Sequence, residues 1–111
     1  MRLRTLGQQG LEVSSLGLGC MGMSYAYGFA DRTECLQVLD RALELGVNFF
    51  DTAEVYGPYK NEELIGNWLN SKPRPSIIIA TKFGFTWDSD GFPIAGERYP
   101  EAVLKLVDRT L

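Results

Sequence analysis

Val47-Asn48-Phe49-Phe50-Asp51-Thr52-Ala53-Glu54-Val55-Tyr56-Gly57 is the stretch on which the fold turns. An apolar run ends abruptly in a carboxylate, and a phenol follows five residues on. The run 47–50 reads as a short strand covered on both faces, the usual state of a strand in a parallel sheet. Asp51 then stands at the strand's carboxyl end, with 52–57 forming the loop beyond it. In α/β folds, ligands and chemistry collect at that end. The plainer alternative is that Asp51 caps a turn and Tyr56 is half-buried packing.

Upstream of this stretch the pattern is helical. Asp31 and Glu34 have the spacing of a capping box, with Asp in place of Ser or Thr. Cys35, Val38, Leu39, Ala42 and Leu43 follow at helical period and predict one apolar face. Gly46 is placed to end that helix in the left-handed conformation. Further back, 20–30 is a loop rich in Met, Tyr and Phe, and Leu16-Gly17-Leu18-Gly19 predicts a first core strand whose glycines permit close backbone approach. Two short strands at 3–6 and 11–14, joined by Gly7-Gln8-Gln9-Gly10, predict a β-hairpin.

Downstream, Asn61 is expected to start a second helix, with Glu62 and Glu63 in its first turn and Leu64, Ile65, Trp68 and Leu69 as its buried stripe. Pro73 and Pro75 stop it. Ser76-Ile77-Ile78-Ile79-Ala80-Thr81 predicts a third core strand, ending in Lys82. Residues 83–98 then read as one long loop of the kind that acts as a lid or binding segment. Asp88-Ser89-Asp90-Gly91 within it shares the opening of a calcium loop but lacks the further acidic positions, so a turn is expected. Pro100 opens a third helix, with Val103, Leu106, Val107 and Leu111 along one side.

Gly19, Asp51 and Lys82 lie 32 and 31 residues apart, which makes the chain a βα repeat. Strands alternating with helices imply a parallel sheet with right-handed crossovers. The 111 residues suffice for one small domain, and 45% apolar content is that of a folded protein. A net charge of −3 gives no case for a nucleic-acid or membrane partner. No run reaches membrane-spanning length. Cys20 and Cys35 lack metal-ligand spacing, no metal site is expected, and two thiols in apolar company fit a reducing cytoplasm.

Neighbouring parallel strands bring Asp51 and Lys82 to one rim, with Tyr56 in the loop above. A structural ion pair is one outcome. The functional alternative is sharper: an ammonium beside a phenol stabilises the phenolate and eases proton loss, while the carboxylate keeps the lysine charged. Such a trio suits proton delivery to a carbonyl oxygen while something else delivers hydride.

These segments, together with Asn61-Glu62-Glu63-Leu64-Ile65-Gly66, Ile79-Ala80-Thr81-Lys82 and Leu16-Gly17-Leu18-Gly19-Cys20-Met21-Gly22-Met23-Ser24, resemble the N-terminal part of an aldo-keto reductase of the bacterial and plant subgroup. The resemblance implies an N-terminal hairpin plus about three βα units of a (β/α)8 TIM barrel. It also implies NADPH-dependent reduction of an aldehyde or ketone. Tyr56 resembles the general acid, Lys82 the residue that tunes it, and Asp51 the carboxylate paired with that lysine; these three are the candidate catalytic residues. Gly19, Cys20 and Met21 match the turn beside the nicotinamide of NADP(H), and Asp51 lies near its ribose. Tyr25, Tyr27 and Trp87 fall in loops that line the substrate pocket in relatives.

The resemblance also marks what this chain lacks. The family's fourth catalytic residue is a histidine at the end of the next strand, and the chain contains no histidine. A full barrel needs roughly 250 residues, so the chain is expected to be a truncated portion and inactive alone. A non-catalytic assembly module, self-associating through open sheet edges, is the alternative. A small flavodoxin-like domain ranks last, because Cys20-Met21-Gly22-Met23-Ser24 makes a poor phosphate loop.

Overall fold

The computed structural model describes residues 1–95. Strands β1 (Leu3–Leu6) and β2 (Leu11–Ser14) form an antiparallel hairpin in which Leu6 faces Leu11 across the expected turn. A three-stranded parallel sheet follows, with β3 (Leu18–Gly19), β4 (Phe49–Asp51) and β5 (Ile78–Ala80) in sequential order. Gly19 pairs with Asp51 and Asp51 with Ala80, so the three strands end level with one another. Helices α1 (Arg32–Glu44) and α2 (Lys60–Leu69) are the two crossovers.

Local chemistry explains both ends of α1. The Asp31 carboxylate accepts the Thr33 and Glu34 amide N–H groups, filling two of the donors a helix leaves free. At the other end Gly46 takes φ +87°. Its N–H donates to the Leu43 carbonyl and that of Val47 to the Ala42 carbonyl, the paired bonds of a Schellman stop. The chain therefore turns sharply from helix into the strand approach.

The core lies between the helices and the sheet. Phe50, Leu39, Cys20, Ile65, Trp68 and Ile77 are buried together. The Phe50 and Trp68 rings meet at 5.1 Å between centroids, tilted by 56°, within the range aromatic pairs favour. The Trp68 indole N–H reaches out of this core to the Asp40 carboxylate at 2.6 Å, and Lys72 pairs with the same oxygen. Trp68 thus buries its ring and satisfies its one donor at the edge.

The structure corrects several expectations. The first core strand is confined to Leu18–Gly19, with Leu16 exposed. Of its two glycines, Gly17 is the one in close approach, since a Cβ there would stand 2.9 Å from the Phe49 ring. The second strand is Phe49–Asp51 and not 47–50, so Asp51 is part of the ladder. Asn48 is diverted into side-chain bonds with Ser14 of the hairpin. The third strand, expected over 76–81, is Ile78–Ala80; Ser76 belongs to a 3-10 turn. Helix α2 starts at Lys60 after a left-handed Tyr59, not at Asn61, whose side chain is drawn inside. Val38 lies on the outer side of α1 and is exposed.

The expected 83–98 loop contains a hairpin of β6 (Phe85–Trp87) and β7 (Pro93–Ala95). Asp88 closes its turn, its carboxylate accepting the Asp90 and Phe92 N–H groups. Short alternation in 85–87 is too brief to register as a strand by periodicity. The third helix expected from Pro100, with Val103, Leu106, Val107 and Leu111, lies outside the described residues. Among the described residues β3 and β5 are each paired on one side only, and no helix is long and apolar enough to cross a membrane.

Candidate active site

Lys82 lies two residues beyond Ala80, the last residue of β5, and side chains two apart on extended backbone share a face. Because Ala80 pairs with Asp51, Lys82 comes directly over the Asp51 carboxylate. Extended pairing continues past the formal strands: the Thr52 N–H donates to the Ala80 carbonyl and the Glu54 N–H to the Lys82 carbonyl.

An ammonium has three N–H bonds, and Lys82 uses all of them. They reach Asp51 Oδ1 at 2.5 Å, the Thr52 carbonyl at 3.0 Å and the Tyr56 hydroxyl at 3.2 Å. Since the phenol oxygen accepts from the ammonium, the phenolic hydrogen is left to point elsewhere. Burial pulls the lysine toward neutrality, but the hydrogen bonds to Asp51 and Tyr56, together with their charges, outweigh it and raise its pKa above the ordinary value. The lysine is therefore charged throughout the neutral range. Asp51 and Lys82 remain 40% and 47% exposed, so the trio opens to solvent on one side.

Asn61 ties the surrounding elements together and was missed as a site residue. It is completely buried. Its Oδ1 accepts from the Thr52 hydroxyl at 2.6 Å, and its Nδ2 donates to the Cys20 carbonyl at 2.8 Å and to Ser24 Oγ at 2.7 Å. The Ser24 hydroxyl donates in turn to the Tyr56 carbonyl. One amide thus joins the turn after β3, the residue after Asp51 and the loop that carries Tyr56. Glu54, also missed, is a buried carboxylate; the available signal was a lone acid between Ala53 and Val55.

Gly19, Cys20 and Met21 lie where β3 passes into a 3-10 turn at Met21–Met23. A Cβ on Gly19 would meet nothing within 4 Å, so open space faces this backbone. Gly19 and Asp51 border a cavity of about 490 Å³ whose walls include Leu18 and Phe49. That combination, an open glycine backbone beside an exposed carboxylate, fits a flat ring and a hydroxylated sugar. The Cys20 backbone is tied down on both sides, its N–H to the Asp51 carbonyl and its carbonyl to Asn61.

The aromatic loop residues are not brought to the trio as a group. Tyr27 is 85% exposed, and Trp87 packs on Tyr59 at 5.3 Å between centroids. A separate cavity of about 420 Å³, lined by Met23, Phe29, Arg32, Lys60 and Leu64, does not include Asp51, Tyr56 or Lys82. No group of metal-ligating side chains occurs among the described residues.

Residues 15–108 match the family model of the aldo/keto reductase family. This chain belongs to the aldo-keto reductase family. It is 49% identical over 89 residues to a probable aldo-keto reductase 1 of Glycine max, an alignment covering 79% of this chain and 25% of the relative. It is 42% identical over 88 residues to the uncharacterized oxidoreductase YqkF of Bacillus subtilis, covering 79% and 27%. Among solved structures, a putative aldo-keto reductase from Pseudomonas aeruginosa superposes with a TM-score of 0.82 at 33% identity, over 98% of this chain and 41% of that one. The chain thus spans about a quarter of the length of these curated relatives. Its three parallel strands and hairpin are part of a (β/α)8 barrel.

Proposed function

We propose that this chain carries the proton-delivering part of an NADPH-dependent carbonyl reductase, acting on an aldehyde or ketone in the cytoplasm, and that its 111 residues alone do not turn over. The single observation that carries this is the Lys82 ammonium donating to the Tyr56 hydroxyl while held by Asp51. With its oxygen accepting from Lys82, Tyr56 keeps its own hydrogen for the oxygen of a carbonyl substrate. As that proton leaves, phenolate charge develops next to an ammonium already in place, which lowers the barrier without rearrangement.

A bound nicotinamide would supply the hydride, seated against the Gly19–Met21 turn with its ribose near Asp51. Preference for the phosphorylated cofactor is supported by the family resemblance alone. Inactivity of the isolated chain is supported by the absence of histidine and by the greater length of the relatives.

The test is a chimera in which residues 15–108 replace the matching segment of the Glycine max relative. It is expected to oxidise NADPH with an aldehyde, and Tyr56→Phe is expected to slow this by about 10² or more. The 111-residue chain assayed in parallel is expected to show no turnover. A chimera that keeps its full rate as Tyr56→Phe would sink the proton-delivery role.

A second reading, as an assembly module, is favoured by the one-sided pairing of β3 and β5 among the described residues. Light scattering separates the two. A defined oligomer with cooperative unfolding supports assembly, and a monomer at assay concentration argues against it.

A further inference from the structure

Glu54 is the one carboxylate among the buried residues of the described part, at 1% exposure, and no described cation pairs with it. Its Oε1 accepts the backbone N–H of Gly84 at 2.8 Å and that of Phe85 at 2.6 Å. Its own N–H donates to the Lys82 carbonyl at 3.1 Å, and its carbonyl accepts the Tyr59 N–H at 2.8 Å. One residue therefore grips the backbone at Lys82 and again just beyond it, from inside the loop that carries Tyr56.

This grip falls where the extended pairing runs out, just past Lys82. Strand β5 ends at Ala80, and Gly84 stands at φ +108°, a region glycine enters about as readily as negative φ, so the residue itself does not fix the path of the chain. The main-chain bond from the Glu54 N–H holds the Lys82 carbonyl, and the Glu54 carboxylate is what holds the next two amides, at Gly84 and Phe85, so that the chain leaves Lys82 in one direction. A buried charge is costly unless hydrogen-bonded, and the bonds it then makes are the stronger, charge-assisted kind. Strand β6 begins at Phe85, so the same carboxylate also anchors the base of the β6–β7 hairpin.

We propose that Glu54 is a positioning residue of the Lys82–Tyr56 pair: its buried carboxylate fixes the backbone beyond Lys82 and so sets where the ammonium meets the phenol. This rests on the proton-delivery reading of Asp51, Tyr56 and Lys82.

The experiment follows the Lys82 side chain by its Cε resonance as pH is raised, in the full 111-residue chain and in four variants. Lys82 is expected to titrate above an ordinary lysine, and Asp51→Asn and Tyr56→Phe are each expected to lower it. Glu54→Ala, although it touches no atom of the ammonium, is expected to abolish the upward shift. Glu54→Gln, which loses the charge but keeps the accepting oxygen, is expected to restore most of it.

If Asp51→Asn and Tyr56→Phe change nothing, the trio itself is wrong, whatever Glu54 does. If both lower the titration but Glu54→Ala does not, the positioning role is overturned. It is overturned equally if Glu54→Gln falls as far as Glu54→Ala, because charge and not placement would then be the cause. Should Glu54→Ala fail to fold, amide exchange in the unmodified chain still decides. The Gly84 and Phe85 amides are expected to exchange more slowly than that of Gln8 in the exposed hairpin turn, and equal rates would overturn the clamp.

Discussion

Lys82 meets Tyr56 in two ways: its ammonium donates to the hydroxyl at 3.2 Å and stands 5.1 Å from the ring centroid. Both contacts favour a charged lysine, and both depend on backbone placed by two different loops. The pair is nevertheless half open to water, which limits what it contributes to folding.

Lys82→Met should therefore hardly change stability. Exposed ion pairs contribute up to about 1 kcal/mol, so urea denaturation followed by tryptophan fluorescence should show a midpoint close to that of the parent chain. A loss well beyond this would mean that Lys82 is a structural residue first and a chemical one second.

Asn61→Ala should behave in the opposite way. It leaves the Thr52 hydroxyl without its acceptor in a buried site and removes one donor each from Ser24 Oγ and the Cys20 carbonyl, which keep the Tyr56 carbonyl and the Met23 N–H as partners. One unsatisfied buried group costs about 1–3 kcal/mol and each further lost hydrogen bond about 1 kcal/mol, so a loss of about 3 kcal/mol is expected by the same denaturation measurement. A loss under about 0.5 kcal/mol, the range of ordinary surface changes, would show that water replaces the amide freely.

Acid should weaken the chain partly through Asp40. The bonds from Lys72 and then from the Trp68 indole hold its carboxyl below the usual range. A depressed carboxyl contributes stability that is fully present above its unfolded value of about 3.9 and is lost as pH falls through its folded value. Denaturation curves of Asp40→Asn and the parent, taken at stepped pH, should thus show a small gap at neutral pH, as befits a half-exposed carboxylate, that closes in acid. A gap independent of pH would contradict the linkage.

Neither thiol should react readily in the folded chain. Burial, followed by the nearby Asp51 charge, pushes the Cys20 thiol up to about 11. Burial, with Asp31 and Glu34, raises Cys35 as well. The thiolate is the reactive species, so alkylation at pH 8 should be slow for both by mass spectrometry and should become fast in urea. Rapid labelling of Cys20 in the native chain would mean that the turn after β3 opens.

The sequence alone determined the βα repeat, the hairpin, the ends of α1 and the rim on which Asp51, Tyr56 and Lys82 meet. Each follows from local rules: apolar runs bounded by turns, a capping aspartate, a glycine after the last helical turn, and parallel strands ending level. Only the tertiary structure decided that Asn61 turns inward and does not cap α2, that Glu54 is buried against Gly84 and Phe85, and that 85–95 folds back as a hairpin. The first two outcomes depend on partners 30 to 41 residues away in the chain, and no local pattern records which distant carbonyl or amide a buried side chain will find; the hairpin is local, but its strands are too short for periodicity to register.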